Sequence, residues 1–259
     1  MAEGGRPTKR ERREHARAER RAREAAAAKR RRQRRIVTVA VAVAALAAVV
    51  ILVAVTRQPP APTNIAIERT AAVDAFSAAG CGEVDVPALP SSPHLEAGAP
   101  PAHELYPVRP TSQGPHLGNV APVGVADRLD ERVTTHNLEH GAVVVWYDPD
   151  AGVDGGAIEK WATDRNRAGF DLGRAGAGIL ASPYRDDFTS GKAVALRAWG
   201  TAIDCDQFDP LVADAFLIER FGTRGNAPER GLAGYPNGVL YYASEGPAAE
   251  PTETAAPPG

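Results

Sequence analysis

Residues 36–55 form a run of twenty residues that contains no charged side chain and only one polar residue, Thr38. As a helix rising 1.5 Å per residue, such a run spans about 30 Å, the thickness of the hydrocarbon core of a bilayer. The chain carries 15 Lys and Arg against 5 Asp and Glu in residues 1–35, and 15 against 27 in residues 57–259. This segregation excludes a uniformly cytosolic globular protein and predicts one N-terminal transmembrane helix.

The basic residues before the apolar run predict its orientation. Lys and Arg fill six of the seven positions 29–35, whereas residues 56–66 hold a single Arg. The positive-inside rule therefore predicts a single-pass protein of the cell membrane, with a cytoplasmic N-terminus and residues 57–259 outside. A cleaved signal peptide is the alternative, but its apolar region is usually shorter, about 7–15 residues, and we expect an uncleaved signal anchor. The basic arm, residues 1–35, is expected to contact anionic membrane lipid rather than nucleic acid.

The two cysteines of the chain, Cys81 and Cys205, both fall on the exported side. An oxidising compartment favours a disulfide between them, closing a loop worth roughly 5 kcal/mol in the chain-entropy model. Two separate buried thiols, or a metal site that uses both sulfurs, are the alternatives.

The exported part has a recognisable organisation. A Pro-rich linker over residues 56–63 precedes a domain over residues 64–243, and an Ala-, Pro-, Glu- and Thr-rich tail over residues 244–259 is expected to be disordered. A β-branched and aromatic run predicts a buried strand over 142–147, and apolar residues at helical spacing predict a helix over 206–221. The full set of predicted elements is helices over 64–79, 154–167 and 206–221, strands over 142–147, 178–182, 192–200 and 238–242, and a long Pro- and Gly-rich loop over 81–122.

This order of elements predicts an α+β domain, a small sheet with helices on one face, for which a ferredoxin-like arrangement is a candidate.

Five of the six histidines lie within 47 residues of the exported part, and two of them frame one short motif. In the segment His136-Asn137-Leu138-Glu139-His140, one helical turn would place His136 and His140 on the same face. Two imidazoles on one face can bind a transition metal with an adjacent carboxylate as ligand or hydrogen-bond partner, here Glu139, and His116 in a Gly-Pro turn is a natural third ligand. The alternative is that these histidines bond backbone carbonyls and pack under the sheet.

The ligand inventory narrows the choice of metal. Met1 is the only methionine, so the exported part offers no thioether for Cu(I). Imidazole with carboxylate favours Cu(II), Zn(II) or a similar divalent ion.

Catalytic signatures are sparse. The pattern His136-x-x-Glu139-His140 matches a metallopeptidase motif in which Glu is the general base, but in those enzymes the motif lies within a long helix. Here Gly141 and a β-branched run follow at once, and no nucleophile elbow, phosphate-binding loop or dinucleotide fingerprint occurs elsewhere. We therefore expect a binding protein rather than an enzyme.

Three short motifs stand out in the exported part. They are residues 111–116 (Thr-Ser-Gln-Gly-Pro-His), residues 136–141 (His-Asn-Leu-Glu-His-Gly) and the strand end at residues 146–149 (Trp-Tyr-Asp-Pro). Together these motifs resemble the DUF3105 family of bacterial exported proteins. The resemblance covers roughly residues 90–230 and implies a membrane-anchored domain without an established activity. An upstream histidine with the spacing of His94 resembles a family feature, which makes His94 a further candidate ligand. Cys205 and residues 227–229 (Ala-Pro-Glu) are also similar to the family.

The first motif departs from the family pattern, which usually spells Pro-Pro-Thr-Ser-Gly-Pro-His. Arg109 stands at the position of the first Pro, and Gln113 is an additional residue between Ser112 and Gly114. The extra residue is expected to affect where His116 lies relative to His136 and His140.

These observations predict metal handling or sensing outside the membrane, with copper slightly ahead of zinc. Two other functions compete with this one. The first is a metal-dependent hydrolase in which Glu139 activates water. The second is an accessory or assembly subunit of a larger membrane complex, in which the histidines are structural.

Overall fold

The computed structural model describes residues 64–247 except 92, 97, 174, 233, 237 and 238, and five helical residues between 37 and 47. The basic arm, the linker and most of the predicted span lie outside the described residues, as does the tail from residue 248. Among the residues described, no helix combines the length and the apolar character needed to cross a membrane. Residues 244–247, assigned from the sequence to the tail, continue the domain, because the Glu245 amide donates to the Tyr242 carbonyl and its carboxylate pairs with Arg69.

A six-stranded mixed sheet organises the domain, in the order β2-β7-β6-β4-β5-β3. Strand β4 is central, paired in parallel with β5 and antiparallel with β6. A separate parallel pair joins β1 to β8. The strands are β1 (Ile65–Ile67), β2 (Gly82–Glu83), β3 (Gly124–Val125), β4 (Val143–Tyr147), β5 (Ile179–Pro183), β6 (Val194–Ala198), β7 (Thr201–Cys205) and β8 (Leu240–Tyr242).

The α+β class is confirmed, but the ferredoxin-like arrangement is wrong. In that arrangement the βαβ unit is split, so that another strand lies between its two parallel strands. Here β4 and β5 are direct neighbours, with Val143 opposite Ile179 and Val145 opposite Ala181.

The helices begin where the sequence supplies caps. Asp130, Asp154 and Asp209 each accept a backbone N–H in the first turn of the helix that follows, as N-cap residues do. The helices are α1 (Arg69–Ala78), α2 (Ala102–Leu105), α3 (Glu131–Glu139), α4 (Gly155–Arg165) and α5 (Pro210–Arg220), and the chain continues from α4 through a kinked turn over Asn166–Phe170, in which Gly169 has a φ of 127°.

Helices cover both faces of the sheet, which corrects the expectation of one covered face. Val143, Val145 and Tyr147 of β4 pack in a core with α1, α4 and α5. Val144 and Trp146 point to the other face, where Leu138 of α3 packs against them. All five residues of β4 are buried, which explains why its sequence is continuously apolar rather than alternating.

The predicted disulfide between Cys81 and Cys205 is confirmed. It extends the antiparallel pairing of β2 with β7, where Gly82 lies opposite Asp204. Neither sulfur is therefore free for the alternatives of separate thiols or a metal ligand.

Candidate metal centre

Four of the predicted ligands come together on the α3 side of the sheet. His136 and Glu139 lie one turn apart near the end of α3, His116 comes from the loop before β3, and His94 comes from a loop farther upstream. One potential ligand atom from each residue lies within 4.8 Å of those of the other three. We call these four residues the His/Glu cluster.

The end of α3 that carries His136 and Glu139 is fixed in place. Between them, Asn137 is fully buried, and its side-chain amide donates to the carbonyls of Ala121 and Gly176 and accepts from the Ala121 amide. The helix ends because Gly141 has a φ of 91°, a conformation that glycine adopts at little cost. The two ligand positions therefore belong to a rigid frame.

His116 is fully buried and contacts acceptors at both ring nitrogens. Its Nδ1 lies 2.8 Å from the Gly114 carbonyl oxygen, and its Nε2 lies 3.0 Å from Glu139 Oε2. A neutral imidazole has one N–H, so it can donate to only one of these acceptors. If Nδ1 donates to Gly114, the lone pair of Nε2 faces a carboxylate oxygen, and either a second proton or a cation must lie between them.

Two contacts of Glu139 and the second contact of His116 suit a metal site. A ligating histidine commonly donates its other N–H to a backbone carbonyl, which is the contact that Gly114 provides. Neighbouring ligands of a tetrahedral ion with bonds of about 2.0 Å are about 3.3 Å apart. The distances from Glu139 Oε2 to His116 Nε2, 3.0 Å, and to His94 Nε2, 3.7 Å, bracket that value.

His136 completes the buried part of the cluster. Its ring centroid is 5.0 Å from that of His116 and 4.7 Å from that of His94, and its buried Nδ1 has no hydrogen-bond partner in the described part of the chain. Burial lowers the pKa of His136, and the rings of His140, His116 and His94 lower it further. Both effects favour the neutral ring, the form that binds metals.

His94 is the exposed member of the cluster, with 47% of its side chain accessible. The loop that carries it is joined to the His116 loop by a 2.7 Å hydrogen bond from the Leu95 amide to the His116 carbonyl. Its ring packs on Gly118, where a Cβ atom would lie only 3.3 Å from His94 Nδ1. Glycine at 118 therefore permits the ring to approach the cluster.

His140 lies next to the cluster but outside it. Its ring stands edge-on to that of His136, with centroids 4.5 Å apart, so the two do share a face of α3. However, Nδ1 contacts the Ala175 carbonyl and Nε2 lies 3.1 Å from a carboxylate oxygen of Glu229. Both nitrogens are thus occupied, and the turn of α3 pairs His136 with Glu139 in the cluster instead.

Two buried residues that the sequence analysis missed hold the loop of His116. Glu131, at the start of α3, accepts hydrogen bonds from the Thr111 amide and from the Tyr184 hydroxyl. Arg197 of β6 donates through Nε to the Pro110 carbonyl and pairs with Asp204 of β7. The sequence alone did not identify either residue, because the loop atoms that they contact, the Thr111 amide and the Pro110 carbonyl, lie far from them in the chain.

Arg197 and Asp204 form a fully buried ion pair. The contact joins Arg197 Nη1 to Asp204 Oδ1, and neither carboxylate oxygen of Asp204 has a hydrogen-bond donor among the described residues. The buried carboxylate of Asp204 therefore has Arg197 as its compensating charge.

The additional Gln113 does not remove His116 from the cluster. Its side-chain amide donates to the Val86 carbonyl, and its backbone carbonyl accepts from the Thr111 hydroxyl. The extra residue is thus accommodated within the turn that precedes Gly114.

Comparisons with known proteins place the chain at the level of a family. A family model described as "Protein of unknown function (DUF3105)" matches residues 103–234, which include His116, His136 and Glu139 but not His94. Separate comparisons with curated proteins and with solved structures gave no significant match. The match spans half of the chain and agrees with the motifs noted in the sequence: the chain belongs to the DUF3105 family.

Proposed function

We propose that this protein binds one divalent transition-metal ion through His94, His116, His136 and Glu139, and handles or senses that metal outside the cell membrane. One observation carries the proposal: three imidazoles and one carboxylate, from three separate segments, offer ligand atoms within 4.8 Å of one another. Three of the four residues are buried, and a buried carboxylate is costly unless a proton or a cation compensates its charge.

The donor set supports Cu(II) or Zn(II), with copper ahead. Imidazole ligands suit both ions, and Cu(II) exceeds Zn(II) in affinity for a given nitrogen and oxygen site. Soft capture of Cu(I) is less supported, because the two sulfurs of Cys81 and Cys205 are joined and the exported part has no methionine.

We further propose a single-pass topology with the N-terminus in the cytoplasm and the metal-binding domain outside. The charge distribution around residues 36–55 supports this orientation. The disulfide supports the same location, because disulfides persist in oxidising compartments. Membrane lipid is the expected contact of the basic arm.

The competing functions have less support. A hydrolase would need Glu139 as a base next to the metal, but its Oε2 lies among the ligand atoms, 3.0 Å from His116 Nε2. A purely structural role within a larger membrane complex would leave the cluster without metal.

Metal content tests the proposal. The purified full-length chain should retain about one equivalent of Cu(II) or Zn(II) after dialysis. Inductively coupled plasma mass spectrometry measures this ratio of metal to protein. His116→Ala and His136→Ala should lose it. His103→Ala is the matched control, because His103 is exposed and lies outside the cluster. Full-length protein that is folded and free of metal after exposure to both ions would refute the proposal.

A further inference from the structure

We propose that His94 is the exchangeable ligand of the cluster. A dissolved chelator delivers the ion to the site or removes it. In both directions it places one of its own nitrogen or oxygen donors in the coordination position of His94. This inference rests on the proposed metal binding and adds the route by which the ion enters and leaves.

The exposure of the four ligands is strongly asymmetric. His94 has 47% of its side chain accessible, whereas Glu139 has 9% and His116 has none. His136 is also buried. An external ligand can therefore reach the ion from the His94 side without displacing a buried group.

The buried ligands are also held more firmly in place than His94. His116 contacts Gly114 and Glu139 at its two nitrogens, and His136 and Glu139 belong to a helix held by the buried Asn137 amide. The His94 ring makes no hydrogen bond with any residue in the described ranges, and its nitrogen is 3.7 Å from Glu139. Rotation of the His94 ring into solvent thus breaks the metal bond, the 3.7 Å contact with Glu139 and the ring contacts with His116 and His136, but no hydrogen bond among the described residues.

The exchange step is balanced without any redox change. The bond between the metal and the His94 nitrogen breaks, and the neutral ring keeps its lone pair. A bond forms between the metal and a donor of the external chelate. His116, His136 and Glu139 hold the ion during this first exchange. When the site empties, further donors of the chelator replace these three ligands one after another, so the ion is never released unbound.

Rescue by free imidazole tests this assignment on the full-length chain. We expect His94→Ala to weaken Zn(II) binding at least about tenfold, as loss of one metal-site contact does, and added imidazole to restore most of it. His116→Ala should bind poorly with or without imidazole, because the vacated position is buried. His103→Ala should match the wild type throughout.

A second measurement follows the rate at which the protein gives up Zn(II). Transfer of Zn(II) from the wild-type protein to a colour-forming chelator should speed up as imidazole is added, and His94→Ala should transfer about tenfold faster than the wild type. Three results would exclude His94 as the exchangeable ligand. They are a rate of Zn(II) transfer that does not change with imidazole, a wild-type affinity for Zn(II) in His94→Ala, and an equal recovery of Zn(II) binding by His116→Ala when imidazole is added. Wild-type protein that binds no Zn(II) would instead refute the proposed function itself.

Discussion

Metal binding should stabilise the domain by an amount that can be worked out in advance. The ion would join the His94 loop, the His116 loop and α3, an arrangement absent from the unfolded chain. For an ion that binds only the folded state, stabilisation is about 2.7 kcal/mol when free metal is one hundred times the dissociation constant. Unfolding a domain of the size of residues 64–247 carries an entropy of about 0.4 kcal/mol per kelvin. The expected rise in Tm is therefore about 7 °C.

Calorimetry of the full-length chain with increasing Zn(II) measures this rise directly. The Tm should continue to increase with the logarithm of free metal after the site is saturated, because the linkage is one of mass action. His136→Ala should abolish the shift, and His103→Ala should preserve it. A wild-type Tm that does not respond to Zn(II) or Cu(II), or an equal response in His136→Ala, would show that the His/Glu cluster does not bind the ion.

Three further perturbations test the framework around the site. Replacing Cys81 and Cys205 together by Ser removes a disulfide between residues 124 positions apart in the sequence. The free energy of unfolding, measured in urea, should fall by about 5 kcal/mol, and a fall below about 1 kcal/mol would contradict stabilisation by loop closure. Arg197→Met leaves the buried Asp204 carboxylate without its counter-charge and should lower the free energy of unfolding by about 3–5 kcal/mol in the same assay. The double variant with Asp204→Leu should recover most of this loss, and an equal loss in both variants would show that the unpaired carboxylate is not its cause. Glu131→Ala removes the acceptor of the Thr111 amide and so loosens the loop that carries His116. Titration of the folded variant should show Zn(II) binding weakened about 10–100-fold, and an unchanged affinity would mean that the His116 loop is held without Glu131.

Local sequence patterns predicted much of the sheet and helices because they reflect local burial. The run at residues 142–147 predicted β4, and the helical spacing of apolar residues predicted α5. Strand β7 was missed because residues 201–205 alternate less clearly and follow a turn at Gly200, whose φ is 66°. The topology was not predictable, since which strand lies beside β4 depends on contacts distant in sequence.

The residue types of the His/Glu cluster could be predicted from the sequence, but not which of them lie together. The motif around residues 136–140 identified the helical turn that contributes His136 and Glu139 to the cluster, and the resemblance to the family added His94. The spacing favoured His136 with His140, yet the cluster uses His136 with Glu139. The difference arises because Ala175 and Glu229, which are far away in sequence, occupy both nitrogens of His140.

Anomalous diffraction at the zinc or copper absorption edge, from crystals of the protein grown with that ion, would locate the bound metal itself. We expect one strong peak about 2.0–2.2 Å from a ring nitrogen of each of His94, His116 and His136 and from a carboxylate oxygen of Glu139. A peak elsewhere in the domain, or no peak in crystals that contain the ion in solution, would contradict it.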